Sequence, residues 1–123
     1  MLDFIAREGL VDHIDPVQYS IRLLVPPGSL LLGSDAMRPH LSELVQDAFY
    51  YRWTHPDPRM DRLHAEVSAA VAKAADGKED AEGTFARIVA LADAAAGVVA
   101  QNVVVAREAN GRRPPRLTEP WFC

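Results

Sequence analysis

Val17-Gln18-Tyr19-Ser20-Ile21-Arg22-Leu23-Leu24-Val25 runs straight into Pro26-Pro27-Gly28, and the reading of this stretch decides the fold. Val17, Tyr19, Ile21 and Leu23 alternate with Gln18, Ser20 and Arg22, the period of a strand with one face buried. The prolines and glycine end it, because proline cannot donate to a sheet ladder and Pro-Gly enforces a turn. A single strand leaves its own N–H and C=O groups without partners. It therefore pairs with the same strand of a second copy, or its sheet lies upstream of Met1.

Working outward, residues 2–10 read as the last two turns of a helix. Leu2, Ile5 and Ala6 share one face and Gly9 supplies a stop. So short a helix is marginal in water, and the reading treats it as cut from a longer one. Helix, strand and Pro-Pro-Gly in this order match the closing unit of a βα barrel, where ligands collect at the C-terminal ends of the strands. That puts Arg22 and the turn at residues 26–29, with Gly28 and Ser29, at a ligand site. A simpler account has Arg22 snorkelling at a sheet edge, and spacing alone favours it.

Downstream, Pro39 suits the first position of a helix. Leu41, Leu44, Val45, Ala48 and Phe49 follow at helical spacing, leading into Tyr50-Tyr51-Arg52-Trp53. This aromatic cluster resembles a lid or stacking platform, but its spacing points to core packing. Thr54-His55-Pro56 ends that helix, and Asp57-Pro58 starts the next with an N-cap and a proline at N1. Met60, Leu63, Val67, Ala70, Val71 and Ala74 mark its inner face, and Asp76-Gly77 closes it. A third helix begins near Asp80, with Phe85, Ile88, Val89, Leu91, Ala92 and Ala95 inward and a stop at Gly97. Residues 98–106 fit a strand by the propensity of Val103-Val104-Val105 and a helix by the stripe of Val99, Val103 and Ala106; the reading leans to helix. From Asn110 the chain is a Pro-rich extended tail.

The chain has 123 residues, 49% apolar and 24% charged, enough for one domain with a core. Its net charge of −4 gives non-specific nucleic-acid binding no electrostatic support. Arg107, Arg112, Arg113 and Arg116 lie in the Pro-rich segment, where a solvated linker is the simpler account. No apolar run reaches the roughly 18–20 residues that span a bilayer, and Met1-Leu2-Asp3 lacks a basic signal-peptide start. The single cysteine excludes an internal disulfide and points to a reducing, cytoplasmic setting. It also excludes a self-contained cysteine-ligated zinc or iron–sulfur site.

No complete active site is legible. His13, His40, His55 and His64 sit in separate segments, without an i, i+4 metal-binding pair. Asp57 and Asp61 stand a turn apart beside Arg59 and Arg62, but Asp57 is already the cap, so an acid–base pair is disfavoured. Ser29 lacks the Gly-x-Ser-x-Gly elbow of a nucleophile, and no Gly-rich phosphate loop is present. Cys123 remains, either an inert thiol or a redox or metal-liganding sulfur on an arm.

Pro115-Arg116-Leu117-Thr118-Glu119-Pro120-Trp121-Phe122-Cys123 resembles the tail of a radical SAM family that ends in Cys-Cys-Ala-Glu-Pro or Cys-selenocysteine-Ala-Glu-Pro. The stretch from Tyr19 to Leu32, with Arg22 and Pro26-Pro27-Gly28-Ser29, is similar to the end of that family's barrel. Ala48-Phe49-Tyr50-Tyr51-Arg52-Trp53 and Met60-Asp61-Arg62-Leu63 fit the region between barrel and tail. The resemblance implies a parent oxidoreductase with a [4Fe–4S] cluster and S-adenosylmethionine. It places Arg22, Gly28 and Ser29 near the cofactor and Cys123 in a vicinal redox pair. The family's Cys-x-x-x-Cys-x-x-Cys motif is absent here, and the sequence stops one residue before the second Cys or selenocysteine. The expectation is a chain begun at an internal Met and read to a UGA codon.

The expected fold is mainly α. Residues 1–35 would be the remnant of the last barrel strand and its loop, residues 36–109 a three-helix unit, and residues 110–123 an extended tail. The expected function is that of a C-terminal fragment of a radical SAM iron–sulfur oxidoreductase, itself inactive and holding no cofactor. Its partners would be the missing N-terminal core and possible second copies paired through the strand. The alternative is a small helical interaction module that binds through Tyr50, Tyr51 and Trp53.

Overall fold

A computed structural model describes residues 1–97; the helix-or-strand question at residues 98–106, the arginine cluster and Cys123 lie outside the described residues. Helix α1 (Leu2–Arg7) buries Ile5 and Ala6, as its spacing requires. Gly9, at φ 68°, lets its own N–H reach the Ala6 carbonyl and that of Leu10 reach Ile5. These paired bonds satisfy carbonyls that the helix end would otherwise leave bare.

The expected strand at residues 17–25 is not formed. Pro16–Ser20 is a short 3-10 helix, capped by the Asp15 carboxylate, which accepts the Val17 N–H at 3.1 Å. Asp15-Pro16 is a helix-start signal, an N-cap followed by proline at N1. It overrides the alternation because Val17 and Tyr19 then turn together onto the helices behind them. Residues 21–25 carry no regular structure. They run beside a hairpin and join it through one backbone bond, Tyr51 N–H to Val25 C=O at 2.8 Å.

The helix expected from Pro39 is instead an antiparallel hairpin, β1 (Leu41–Val45) and β2 (Tyr50–Trp53). Leu41 faces Trp53 and Leu44 faces Tyr51, so three steps on β1 match two on β2. The extra residue is a bulge that resets the alternation. Apolar residues at i and i+3 thus fall on one face of a strand, imitating a helical stripe. Aromatic side chains also favour the pleated surface of β2. Gln46–Ala48 turns the chain, with Phe49 left-handed at φ 56°.

Helix α2 (Pro58–Asp76) starts where expected, with Asp57 accepting the Arg59 N–H, and buries Val67, Val71 and Ala74. Gly77 ends it, but the left-handed position falls one residue later, on Lys78 at φ 51°. Helix α3 (Ala81–Ala96) is capped by Asp80, which accepts the Gly83 N–H at 2.7 Å, and ends at Gly97, φ 71°. It buries Ala81, Thr84, Phe85, Ile88 and Val89. Thr84 satisfies its hydroxyl by donating to the Asp80 carbonyl at 2.9 Å.

Two clusters form the core. Ile5, Ala6 and Val11 meet Ala81, Phe85 and Val89; Val67, Val71 and Ile88 pack with Val17, Leu63 and Leu91. Leu2 and Tyr19 touch both. The described chain is thus mainly helical with a small two-stranded sheet. Its three helices are α1, α2 and α3, and its strands lie at residues 41–53. No described helix is long and apolar enough to cross a membrane.

Candidate functional site

The site begins with Arg22, at the start of the extended stretch. Its guanidinium lies over the Trp53 indole, Cζ 4.1 Å from the ring centroid. Nη2 donates to the Trp53 carbonyl at 2.9 Å and to Asp61 Oδ1 at 2.5 Å. Trp53 answers with its own indole N–H, which donates to the Leu23 carbonyl at 2.9 Å. Stacking on an aromatic face and a fixed fork of donors are what arginine offers and lysine does not. Arg22 and Asp61 both keep about 30% of their side-chain surface in water (29% and 30%), so their pairing is only partly screened.

Asp61 also accepts the His55 N–H, at 3.0 Å to Oδ2 and 3.3 Å to Oδ1. Loss of hydration pushes its carboxyl up, but the hydrogen bonds from His55 N–H and Arg22 outweigh that and hold it below the ordinary value. Asp57, bonded to the side chain and N–H of Arg59, is pushed down to about 2. His55 Nδ1 lies 2.9 Å from the Asp57 backbone N and 3.2 Å from the Asp57 carbonyl, which holds the ring over the start of α2. His64 Nε2 lies 3.1 Å from the Ser20 carbonyl; a carbonyl only accepts, so the proton is on Nε2.

Beside this node opens a cleft of about 590 Å³, lined by Arg22, Leu23, Leu24, Tyr51, Trp53 and His64 among others. Aromatic, aliphatic and polar side chains share its walls, and it stays open to solvent on one side. Gly28 and Ser29 do not line it. They complete the turn after the prolines, with Gly28 at φ 83° and Ser29 N–H donating to the Pro26 carbonyl at 3.1 Å. The positive φ is the requirement that glycine meets at the third position of such a turn. Ser29 then caps the next 3-10 turn, its hydroxyl accepting the Leu31 N–H. The structure therefore brings Arg22 to the cleft with Tyr51 and Trp53, and leaves Gly28 and Ser29 in a turn outside it.

From the sequence, Asp61 is weighed only as an acid–base partner of Asp57 and set aside; its place as the carboxylate facing Arg22 is not foreseen. Its one local signal is an acidic residue in the first turn of a helix, which is common for reasons of the helix dipole alone. The Arg22–Trp53 contact spans 31 residues and has no local signal at all.

Comparison with protein-family models, curated proteins and solved structures returned no match to this chain. A [4Fe–4S] cluster of the radical SAM type does not fit the residues present. The motif needs three thiolates, and the sequence holds one cysteine. Among the described residues no group of three or more His, Cys, Asp or Glu is placed to hold a metal ion.

Proposed function

We propose that this chain is a docking segment of a radical SAM iron–sulfur oxidoreductase, its C-terminal part, inactive by itself, and that it packs against the cluster-bearing core. The observation that carries the docking role is the surface of residues 21–57. Ile21, Leu23, Leu24 and Phe49 are 65%, 52%, 59% and 70% exposed, while Val25 is the one buried side chain of that stretch. Exposed apolar side chains beside so little core offer a surface that a partner could cover. The resemblance of residues 115–123 to the family tail supports the choice of partner. In that parent, Cys123 and the residue after it would form a vicinal redox pair, activated as the more acidic sulfur or selenium is ionised.

The test is the DNA around the reading frame. A UGA codon after Cys123 followed by Ala-Glu-Pro codons, with Cys-x-x-x-Cys-x-x-Cys in frame upstream of Met1, is the expected result. A UAA or UAG stop with no upstream motif overturns it. A second reading, a free-standing helical module binding a partner protein through Tyr50, Tyr51 and Trp53, is favoured by the helices. α2 and α3 carry their own N-cap residues, Asp57 and Asp80, and pack on each other through Val67, Val71 and Ile88. The second DNA outcome would leave that reading in place, and pull-down with a Trp53→Ala control would then test it.

A further inference from the structure

We infer that residues 21–57 form a strap that opens from the helical body as one unit, with the Asp61 carboxylate as its latch. The strap is tied to itself. Tyr51 N–H reaches Val25 C=O, Trp53 and Arg22 bond across to each other's segment, and Thr54 N–H reaches His40 C=O at 3.0 Å. Neither apolar cluster of the body contains a residue between Tyr19 and Leu63. The chain enters the strap at Ile21 and returns from it at Asp57. Both crossings lie at Asp61, which takes Arg22 Nη2 from the entering side and His55 N–H from the returning side. One carboxylate in the first turn of α2 thus pins both ends of the neck.

Sub-global opening follows the places where few apolar contacts cross, and this neck is such a place. The opening has a consequence for the cleft. His64 is its only lining residue from α2; Leu23, Leu24, Tyr51 and Trp53 travel with the strap. Releasing the latch therefore dismantles the cleft without unfolding α2 or α3. The inference is independent of which partner the exposed face meets.

Amide hydrogen exchange followed by NMR on the full chain tests it. The strap reporters are the N–H groups of Phe49, Tyr51 and Thr54; the body reporters are those of Val71 and Ile88. In Asp61→Asn the strap reporters are expected to exchange together, about tenfold faster or more, with the body reporters at wild-type rates. Arg22→Gln, which cuts the same tie from the other side, is expected to reproduce the pattern and carries the test if Asp61→Asn does not fold. Val71→Ala is expected to do the reverse, speeding the body reporters alone. Equal acceleration of both sets in Asp61→Asn, or no change in the strap reporters, overturns the inference.

Discussion

The helical body and the strap are built from similar residues but held differently. In the body, Phe85 and Thr84 are fully buried and two apolar clusters interlock through Leu2 and Tyr19. In residues 21–57 a hairpin leans on an extended stretch, Val25 alone is buried, and polar ties at Arg22, Trp53 and Asp61 do most of the joining. A two-stranded hairpin is at best marginal in water without a third strand or a helix to cover it. The difference teaches that exposure of Ile21, Leu23 and Leu24 costs the body nothing, so that surface is free to meet a partner.

The largest expected effect falls on the body. Phe85→Ala empties the centre of the first cluster and should cost about 3–5 kcal/mol, read as a lower urea midpoint for the loss of helical circular dichroism. Val25→Ala strikes the strap. It should cost the local opening energy about 2 kcal/mol and speed exchange at Tyr51 N–H, while the urea midpoint of the helices stays put. A matching fall in that midpoint would mean that strap and body unfold together.

The left-handed residues give a smaller and paired comparison. Lys78 closes α2 through Lys78 N–H to Ala75 C=O and Glu79 N–H to Ala74 C=O, at a φ that glycine adopts without strain. Lys78→Gly should raise global stability by about 0.5–1 kcal/mol. Phe49→Gly relieves the same strain at the hairpin tip, so it should slow exchange of the Phe49 N–H and leave the thermal midpoint of the helices unchanged.

Smallest is the response to pH, which separates the two regions by sign. Asp57, at about 2, and Asp61 have lowered folded pKa values, so their contribution is full above about 4 and is lost as pH falls through the folded values. The neck should loosen first in acid, seen as strap exchange rising before helical signal is lost. Tyr19 is the opposite case: burial raises its hydroxyl to about 12, and that buried oxygen has no hydrogen-bond partner. Its contribution is full below about 10 and lost as pH climbs through the folded value, so alkali should weaken the body. Tyr19→Phe should abolish that alkaline loss.

Local chemistry alone determined α2 and α3. Asp57-Pro58, Asp80 and Gly97 are start and stop signals that act within a turn, and the 3.6-residue stripe from Val67 to Ala74 needs no distant partner to be read. Asp15-Pro16 was equally local, and its cap competes with the alternation that follows it; burial of Val17 and Tyr19 against α2 and α3 settles the contest. The hairpin was not legible, because a bulge between Leu41 and Leu44 places apolar residues at helical spacing, and only pairing with Tyr51 and Trp53 reveals the strand. The site was legible in part. Arg22 was singled out near the end of the expected strand, and Trp53 as part of an aromatic cluster. Only the tertiary structure decided that Arg22, Trp53 and Asp61 meet, since a contact across 31 or 39 residues leaves no periodic trace in the chain.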